Sequence, residues 1–376
     1  GQFADNQKPQ LQVGDRFELS TLIDPLAGSN KGVYLEAWVL TDLAPKDRLL
    51  IDDGRLELEV QSLDNQCAVC VVRRGGIISG LKGVNKFGGG LSAPALTEKD
   101  FSDLKVAAEL KTDYLAVSFV KSAEDVHLAR QHLTSAGSQA HIIAKMERAE
   151  AIAAPWLSEI IAAADGIMVA RGDLGVEIGD ENLIAVQKEL ISRAISANKV
   201  TITATQMMES MIDAPTPTRA EVFDVANAVL DGADAVMLSG ETSVGEHPIE
   251  VIKAMRLIVT EIEKEPRIYH LFREPETIRP ERQVTDAICY NACELAQRVE
   301  AKAIVTMTFS GYTAYKVASQ RPKATIHVFT GNQSILGQLG LCWGVEAHLY
   351  DKMVSTDHTI SDVKNILQKE GAVKEG

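Results

Sequence analysis

The feature of this chain that most restricts its fold is a regular alternation of short apolar runs with longer amphipathic stretches. Runs rich in β-branched residues recur at intervals of roughly one β/α unit between positions 114 and 238. These runs predict strands at residues 114–120, 141–144, 166–170, 200–204 and 235–238. Strands that alternate with helices indicate an α/β fold with a parallel sheet. Five units are too few for a closed (β/α)8 barrel, so either the sheet is open or units are missing from the chain.

The regions on either side of this alternation have different patterns. Short alternating runs at residues 33–40, 48–51, 56–60 and 67–73 predict a β-rich domain, a small barrel or sandwich, over residues 1–95. Thr97 and Asp100 have the spacing of a capping box and begin a portion of β/α barrel over residues 96–265. A charged, proline-containing stretch at 261–281 is a predicted linker. Residues 266–376 form a predicted C-terminal α/β domain, with a helix at 286–298 and strands at 303–308, 325–330 and 346–350.

Composition excludes several classes of function. The formal net charge of -14 disfavours a general nucleic-acid or acidic-membrane surface, although a local basic pocket can still bind phosphates. No apolar run approaches the ~20 residues that span a bilayer, and the first residues lack the pattern of a signal peptide. The odd number of cysteines, 5, indicates a reducing compartment. We therefore expect a cytoplasmic protein with no nucleic-acid or membrane partner.

Polar residues follow three of the predicted strands. Lys145 and Glu147 follow the strand at 141–144, Arg171-Gly172-Asp173 follows the strand at 166–170, and Thr205 follows the strand at 200–204. The carboxyl edge of a parallel sheet is where α/β proteins build their sites. Two carboxylates, a lysine and a threonine at that edge suggest a metal ion and an anionic substrate. Lys145 and Glu147 are two residues apart, so in a strand they face the same side.

The same stretches carry a resemblance to a known family. The chain contains AKME at 144–147, DGIMVARGDLGV at 165–176, ATQMMESM at 204–211, PTRAEV at 217–222, LSGET at 238–242 and KGVN at 82–85. Motifs of this kind, in this order, are similar to those of the pyruvate kinase family, with a methionine at 146 where isoleucine is usual. The resemblance extends over essentially the whole chain.

The resemblance implies a fold and an assembly. It implies a (β/α)8 TIM-type barrel with an inserted small β-barrel lid domain and a C-terminal α/β domain, in a homotetramer. The family has three barrel strands before its lid, and this chain is expected to begin inside or just before the lid. We therefore expect a partial barrel that lacks those strands, together with the family's last C-terminal strands. The lost strands hold the family's substrate-binding arginine, most of its potassium ligands and much of its adenine pocket.

The resemblance also implies an activity, which is phosphoryl transfer from phosphoenolpyruvate to ADP in glycolysis, with Mg²⁺ or Mn²⁺ and K⁺. Glu147 and Asp173 are the implied metal ligands, and Lys145 is the implied catalytic cation. The alternative interpretation of these three side chains is a set of structural ion pairs. The amides of Gly172 and Asp173 are implied to hold the substrate carboxylate. Arg171 is left open between a role in this turn and an ion pair across a subunit contact.

Further residues are assigned by the same resemblance. Thr205 is implied to lie where the enolate is protonated, and a helix N-cap is its alternative role. Ser118 and Phe119 are expected to line the substrate pocket. Lys82 on the lid is expected to reach nucleotide phosphates when the lid closes, and its alternative role is a solvated surface lysine. A loop that combines hydroxyls with a glycine turn is expected to bind a phosphorylated effector through Thr308, Ser310, Gly311 and Thr313. The alternative role of this loop is a plain helix N-cap.

Two other functions remain open on the sequence alone. One is a metal-dependent aldolase or lyase that acts on pyruvate enolate, which would share the pair of acids but has no need of the lid or of Lys82. The other is a non-catalytic or incomplete regulatory chain, which the missing strands favour.

Overall fold

The structure is a computed structural model that describes residues 1–52, 54–271 and 280–374. Its first part is a mixed six-stranded sheet in the order β3-β2-β6-β5-β4-β8, with β1 and β7 paired separately. Phe17, Leu49 and Leu58 are fully buried in its core. The elements are β1 (Gln10–Leu11), β2 (Arg16–Ser20), β3 (Gly32–Tyr34), α1 (Ala37–Thr41), β4 (Arg48–Ile51), β5 (Leu56–Leu63), β6 (Cys67–Arg74), β7 (Gly76–Ile77) and β8 (Val84–Lys86).

One predicted strand of this region is wrong in its second half. The strand predicted at 33–40 ends at Tyr34, and residues 37–41 form the short helix α1. Val39 and Leu40 are both buried, although they are neighbours in sequence. A half-buried strand would place them on opposite faces, whereas a helical turn can direct both toward one core.

The second part is a five-stranded parallel sheet in the order β13-β12-β11-β10-β9. The consecutive β/α units confirm the TIM-type barrel architecture, and they are five in number over the described residues. The elements are α2 (Glu98–Glu109), β9 (Tyr114–Val117), α3 (Ala123–Ser135), β10 (His141–Met146), α4 (Trp156–Ala163), β11 (Gly166–Ala170), α5 (Arg171–Ile178), α6 (Asp180–Ser196), β12 (Val200–Ala204), α7 (Arg219–Leu230), β13 (Ala235–Met237), α8 (Gly240–Ser243) and α9 (Pro248–Ile262). The Thr97 hydroxyl caps α2 by accepting from the Asp100 amide, as the capping-box spacing predicts.

The two faces of this sheet pack differently. Ile142 and Ile167 point outward into the core that the sheet shares with helices such as α3 and α4. Ile143, Met168 and Ile202 point to the other side and form a smaller apolar cluster. Because side chains alternate along a strand, the register of these residues also fixes the side to which the polar residues at the strand ends point.

The third part is a parallel sheet in the order β14-β15-β16 with helices around it. The elements are α10 (Gln283–Arg298), β14 (Ala303–Met307), α11 (Tyr312–Ala318), β15 (Thr325–Thr330), α12 (Ile335–Leu339), β16 (Val345–Leu349) and α13 (Thr356–Lys369). It contacts the barrel portion through a buried ion pair, in which the Arg321 guanidinium lies 2.8 Å from the Asp234 carboxylate. Among the described residues, none of the helices combines the length and the apolar character needed to cross a membrane.

The domain limits at residues 95 and 265 remain our proposal. The start of the predicted linker, 261–281, belongs to α9 as far as Ile262, and its residues 272–279 lie outside the described part of the chain.

Candidate active site

The carboxyl edge of the barrel sheet brings together the polar residues that follow neighbouring strands. Parallel pairing matches Ala144 of β10 with Val117 of β9, and Met146 of β10 with Val169 of β11. Residues just beyond these pairs therefore leave the sheet side by side. Ser118, Glu147 and Arg171 emerge at this edge, and Thr205 emerges beside them at the end of β12.

Lys145 and Glu147 form the centre of the site. The Lys145 ammonium lies 2.7 Å from Oε1 of Glu147 and donates to the Ser118 hydroxyl at 2.8 Å. Glu147 is only 1% exposed, whereas the side chain of Lys145 is 24% exposed. The predicted common facing of residues 145 and 147 is confirmed by this contact. A buried carboxylate is stable only with partners, so the lysine neutralises it while keeping its ammonium accessible.

Phe119 supplies a second partner to the same carboxylate. Its backbone N–H donates to Oε2 of Glu147 at 2.6 Å, so both carboxylate oxygens are held. Phe119 has φ of 54°, a left-handed conformation that is uncommon for a bulky residue. Strained backbone of this kind clusters at functional sites, because the surrounding contacts must enforce it. Phe119 thus orients Glu147 through its main chain, and its ring is partly exposed beside the site.

The turn after β11 is joined to the turn after β12 by Thr205. The Thr205 hydroxyl donates to the carbonyl of Ala204 at 2.6 Å and accepts from the amide of Gly172 at 2.8 Å. Thr205 has φ of 67°, which is strained for a β-branched residue. A substrate carboxylate bound to the Gly172 amide would therefore have to replace the Thr205 hydroxyl.

Arg171 holds this strained turn in place. Its guanidinium donates to both oxygens of Asp224 at 2.7 and 2.6 Å, and to the carbonyls of Thr205 and Gln206. Arg171 is 6% exposed and pairs within its own chain. Within this chain, Arg171 thus takes part in the turn through Asp224 and through the carbonyls of the turn after β12.

Asp173 lies in the first turn of α5, directly after β11. Its carboxylate and that of Glu147 therefore belong to adjacent strand ends. Both offer oxygen donors, and Mg²⁺ and Mn²⁺ prefer oxygen and usually take one or two carboxylates from a protein. The donor set at this edge fits such an ion.

The other predicted site residues lie outside this cluster. Lys82 on the lid has its ammonium 2.8 Å from the Asp52 carboxylate, and its side chain is 40% exposed. In the C-terminal loop, the Thr308 hydroxyl accepts from the amide of Gly311, and the hydroxyls of Thr306 and Thr313 lie 2.8 Å apart. Gly311 has φ of 81°, so the loop turns there in a conformation that favours glycine. Ser310 lies in the same loop.

The local sequence patterns do not predict the contacts at the junction between the lid and the barrel. The Arg148 guanidinium donates to the carbonyls of Leu91 and Ala93, which lie at the end of the lid domain. The carbonyl of Glu177 accepts from the amide of Gly88 at 2.8 Å, and its side-chain Oε2 accepts from the amide of Ala149 at 2.8 Å. Only the position of Arg148 next to Glu147 could have drawn attention to it.

Glu177 also gives the protein a pH-dependent stability. Burial raises the pKa of this carboxyl from 4.5 to about 7, and Glu150 adds to the rise, while the Ala149 amide and Arg148 oppose it. A raised folded-state pKa means that stability is fully present below pH 4.5 and falls as the pH rises toward 7.

We expect Glu177→Gln to remove this loss, since glutamine can still accept from the Ala149 amide without carrying a charge. The free energy of unfolding of the variant relative to the unaltered protein should rise by about 2 to 3 kcal/mol between pH 5 and pH 8. Urea unfolding at several pH values measures this difference. Glu109→Gln on exposed helix surface is the control, and an equal pH dependence of the two variants would contradict the assignment.

Comparison with known proteins agrees with this geometry. The family model for the pyruvate kinase barrel domain matches residues 1–252, and that for the pyruvate kinase alpha/beta domain matches residues 286–376. The chain is 43% identical to a pyruvate kinase of Haemophilus influenzae over 97% of its own length and 77% of the relative. It is 42% identical to pyruvate kinase II of Salmonella typhimurium, over 97% of this chain and 76% of the relative.

A solved structure has the same architecture. The crystal structure of a pyruvate kinase from Cryptosporidium parvum superposes with a TM-score of 0.92 at 32% sequence identity, covering 100% of this chain and 77% of that one. The family models, the relatives and the fold all match from the lid to the C-terminal sheet, and the chain therefore belongs to the pyruvate kinase family.

Proposed function

We propose that this site transfers the phosphoryl group of phosphoenolpyruvate to ADP, giving pyruvate and ATP. The observation that supports this most directly is the partly exposed Lys145 ammonium, held by Glu147 and Ser118 at the carboxyl edge of the sheet. Phosphoryl transfer depends on positioning and charge stabilisation more than on covalent catalysis, and this arrangement offers both.

Glu147 and Asp173 are the residues that we propose hold a divalent cation, Mg²⁺ or Mn²⁺. Such an ion, when bound, neutralises charge on the oxygens of the substrate and draws them into one orientation. Phe119 and Lys145 each fix one oxygen of Glu147, which limits the positions that its carboxylate can adopt.

Lys145 is the proposed catalytic cation for the phosphoryl group. Its ammonium has three donors, of which Glu147 and Ser118 orient two. The third can point to an oxygen of the phosphoryl group while that group moves between donor and acceptor. A cation that is already oriented stabilises the transition state without reorganisation, which is the largest contribution of many active sites.

The strained turns would bind the remainder of the substrate. The amides of Gly172 and Asp173, at the start of α5, can donate to a substrate carboxylate once the Thr205 hydroxyl has moved from the Gly172 amide. Thr205 would then be free to assist, through water, the proton transfer to the enolate carbon. Ser118 and Phe119 would line the same pocket.

Several further roles remain proposals. Lys82 would exchange Asp52 for nucleotide phosphates when the lid closes over the site, and closure would exclude water. Thr308, Ser310, Gly311 and Thr313 would hold a phosphorylated effector. We also propose dependence on K⁺, a homotetrameric assembly and a cytoplasmic location, all from the family resemblance.

The test is a coupled assay of pyruvate formation by the purified protein. We expect product only when phosphoenolpyruvate, ADP and Mg²⁺ or Mn²⁺ are all present. Pyruvate release without ADP would contradict phosphoryl transfer. Cleavage or condensation of a 2-oxo acid would support the lyase alternative, and absence of any turnover from a folded protein would support the non-catalytic one. The lid, which a lyase does not need, favours the kinase.

A further inference from the structure

A cluster of metal-ligating side chains lies on the C-terminal sheet, apart from the strand ends just described. His327 is on β15, and Glu346 and His348 are on β16. Parallel pairing matches His327 with Glu346 and Phe329 with His348, so all of them point to one face of the sheet. The cluster is thus fixed by the register of two neighbouring strands, not by a mobile loop.

The ligand atoms already have the separations of a metal site. Nδ1 of His327 lies 3.1 Å from Nε2 of His348 and 3.4 Å from Oε2 of Glu346. Each of the three residues offers one ligand atom, and these atoms all lie within 4.8 Å of one another. Tetrahedral bonds of 2.0–2.1 Å to a common ion place neighbouring ligand atoms about 3.3 Å apart. Binding would need little rearrangement of the cluster.

The imidazole nitrogens face one another in a way that a cation would satisfy. His327 is 1% exposed, so its Nδ1 is shielded from water and lies against the facing nitrogen of His348 and the Glu346 carboxylate. Without an ion, Nδ1 of His327 has to share a proton with Nε2 of His348 or with the Glu346 carboxylate. With an ion, both lone pairs have a partner.

His348 has the surroundings of a metal ligand. Its ring stacks on Phe329 with centroids 4.6 Å apart and planes inclined by 13°. Its other nitrogen, Nδ1, lies 3.6 Å from Oε2 of Glu370, at the end of α13. A carboxylate beside the outer nitrogen favours the tautomer that leaves Nε2 free for an ion. Glu370 can therefore act as a positioning residue.

The charge and the access of the cluster suit a divalent ion. Glu346 and Glu370 provide two negative charges, and the side chain of Glu346 is 61% exposed. An ion can enter from solvent past Glu346 and reach the buried nitrogen of His327. Two imidazoles and one carboxylate are a ligand set typical of Zn²⁺ and neighbouring transition metals, unlike the oxygen ligands preferred by Mg²⁺.

We propose that His327, His348 and Glu346 form a second metal site, which binds Zn²⁺ or a similar transition-metal ion and leaves a fourth position for water. The site is independent of the proposed phosphoryl transfer, because it lies on another sheet and uses other ligands. Its occupancy would tie β15 to β16 and, through Glu370, to α13.

The experiment is a titration of the purified protein with Co²⁺, followed by displacement with Zn²⁺, in saturating Mg²⁺. Mg²⁺ occupies sites built from oxygen ligands, and tetrahedral Co²⁺ with nitrogen ligands has intense visible bands that octahedral Co²⁺ lacks. We expect one such ion per chain. Its affinity should fall by about 100-fold in His348→Gln, and by about tenfold in Glu346→Gln and in Glu370→Gln.

A control variant and two substitutions at exposed positions separate loss of the metal site from loss of folding. His127→Gln on the exposed face of α3 is the matched control and should bind as the unaltered protein does. Glu346→Gln and Glu370→Gln alter exposed positions, so both should stay folded even if a change at buried His327 would not be tolerated. Two results would overturn the proposal: equal binding by His348→Gln and the unaltered protein, or absence of the tetrahedral bands. The contact between His327 and His348 would then be a hydrogen bond and not part of a metal site.

Discussion

Replacing Lys145 with methionine is expected to lower kcat for pyruvate formation by about 100- to 1000-fold, with a much smaller change in KM for phosphoenolpyruvate. Methionine retains most of the volume of the side chain and removes the ammonium that lies between Glu147 and Ser118. If the ammonium acts mainly on charge that develops during transfer, its loss affects turnover more than substrate binding. Steady-state kinetics with each substrate varied in turn separate these effects.

A purely structural lysine would give a different result. The loss of activity would then equal the loss of folded protein, because the variant would unfold when Glu147 is left buried without its cation. Circular dichroism and titration of active sites measure the folded fraction. Lys105→Met on the exposed side of α2 is the control and should retain full turnover. Full kcat in folded Lys145→Met protein would rule out the proposed catalytic role.

Replacing Arg171 with leucine is expected to destabilise the protein by about 2 to 4 kcal/mol, because it removes one partner of a partly buried ion pair in which Arg171 is 6% and Asp224 27% exposed. Asp224 would lose both of its hydrogen bonds from the guanidinium, and the carbonyls of Thr205 and Gln206 would lose theirs. The strained φ angles of Thr205 and Gln206 would then lack the contacts that maintain them. Turnover should therefore decrease even at temperatures where the variant stays folded.

Urea unfolding at equal protein concentration measures the change in stability. Arg298→Leu is a matched control, because Arg298 forms an exposed ion pair with Glu294 on α10, and such pairs contribute about 0.5 kcal/mol. Arg171→Lys should be intermediate, since it keeps the charge and loses the planar fork. A loss below about 1 kcal/mol in Arg171→Leu would contradict the role assigned to this side chain.

Much of the architecture followed from local patterns. The strands predicted at 48–51, 166–170, 200–204 and 325–330 have those bounds in the structure. Each is a mainly apolar run with a polar residue at or next to both ends, so the residues themselves mark where the strand ends. The pairing of Lys145 with Glu147 followed from the same local reasoning, because alternation along one strand determines which side chains share a face.

Contacts between distant segments could not be predicted in this way. Arg171 and Asp224 are 53 residues apart, and no periodicity in either segment indicates the other. The hydrogen bond between the Gly172 amide and the Thr205 hydroxyl depends on two backbone turns. In one of them Thr205 has a positive φ, which nothing in the local sequence requires. The partners of Glu177 come from the lid and from the turn after β10.

The contact between His327 and His348 could not be predicted from local sequence either, although both residues lie in one sheet. The two residues are on neighbouring strands, and a shift of one residue in register would turn one of them to the opposite face. The sequence indicates both strands, whereas their register depends on packing between segments, where Phe329 and Tyr350 share an apolar cluster with α13. Helix α1 differed from the prediction because its consecutive buried residues fit a helical turn as well as a strand.

The most direct test of the proposed cation site at Glu147 and Asp173 is the affinity of the protein for Mn²⁺, measured by electron paramagnetic resonance in Glu147→Gln and Asp173→Asn variants. If the two carboxylates share one divalent cation beside Lys145, each change should weaken binding by about tenfold or more, as loss of a charged ligand would. Asp103→Asn on the surface of α2 should leave the affinity unchanged. Binding of Mn²⁺ by both variants with the affinity of the unaltered protein would show that these acids do not hold the ion.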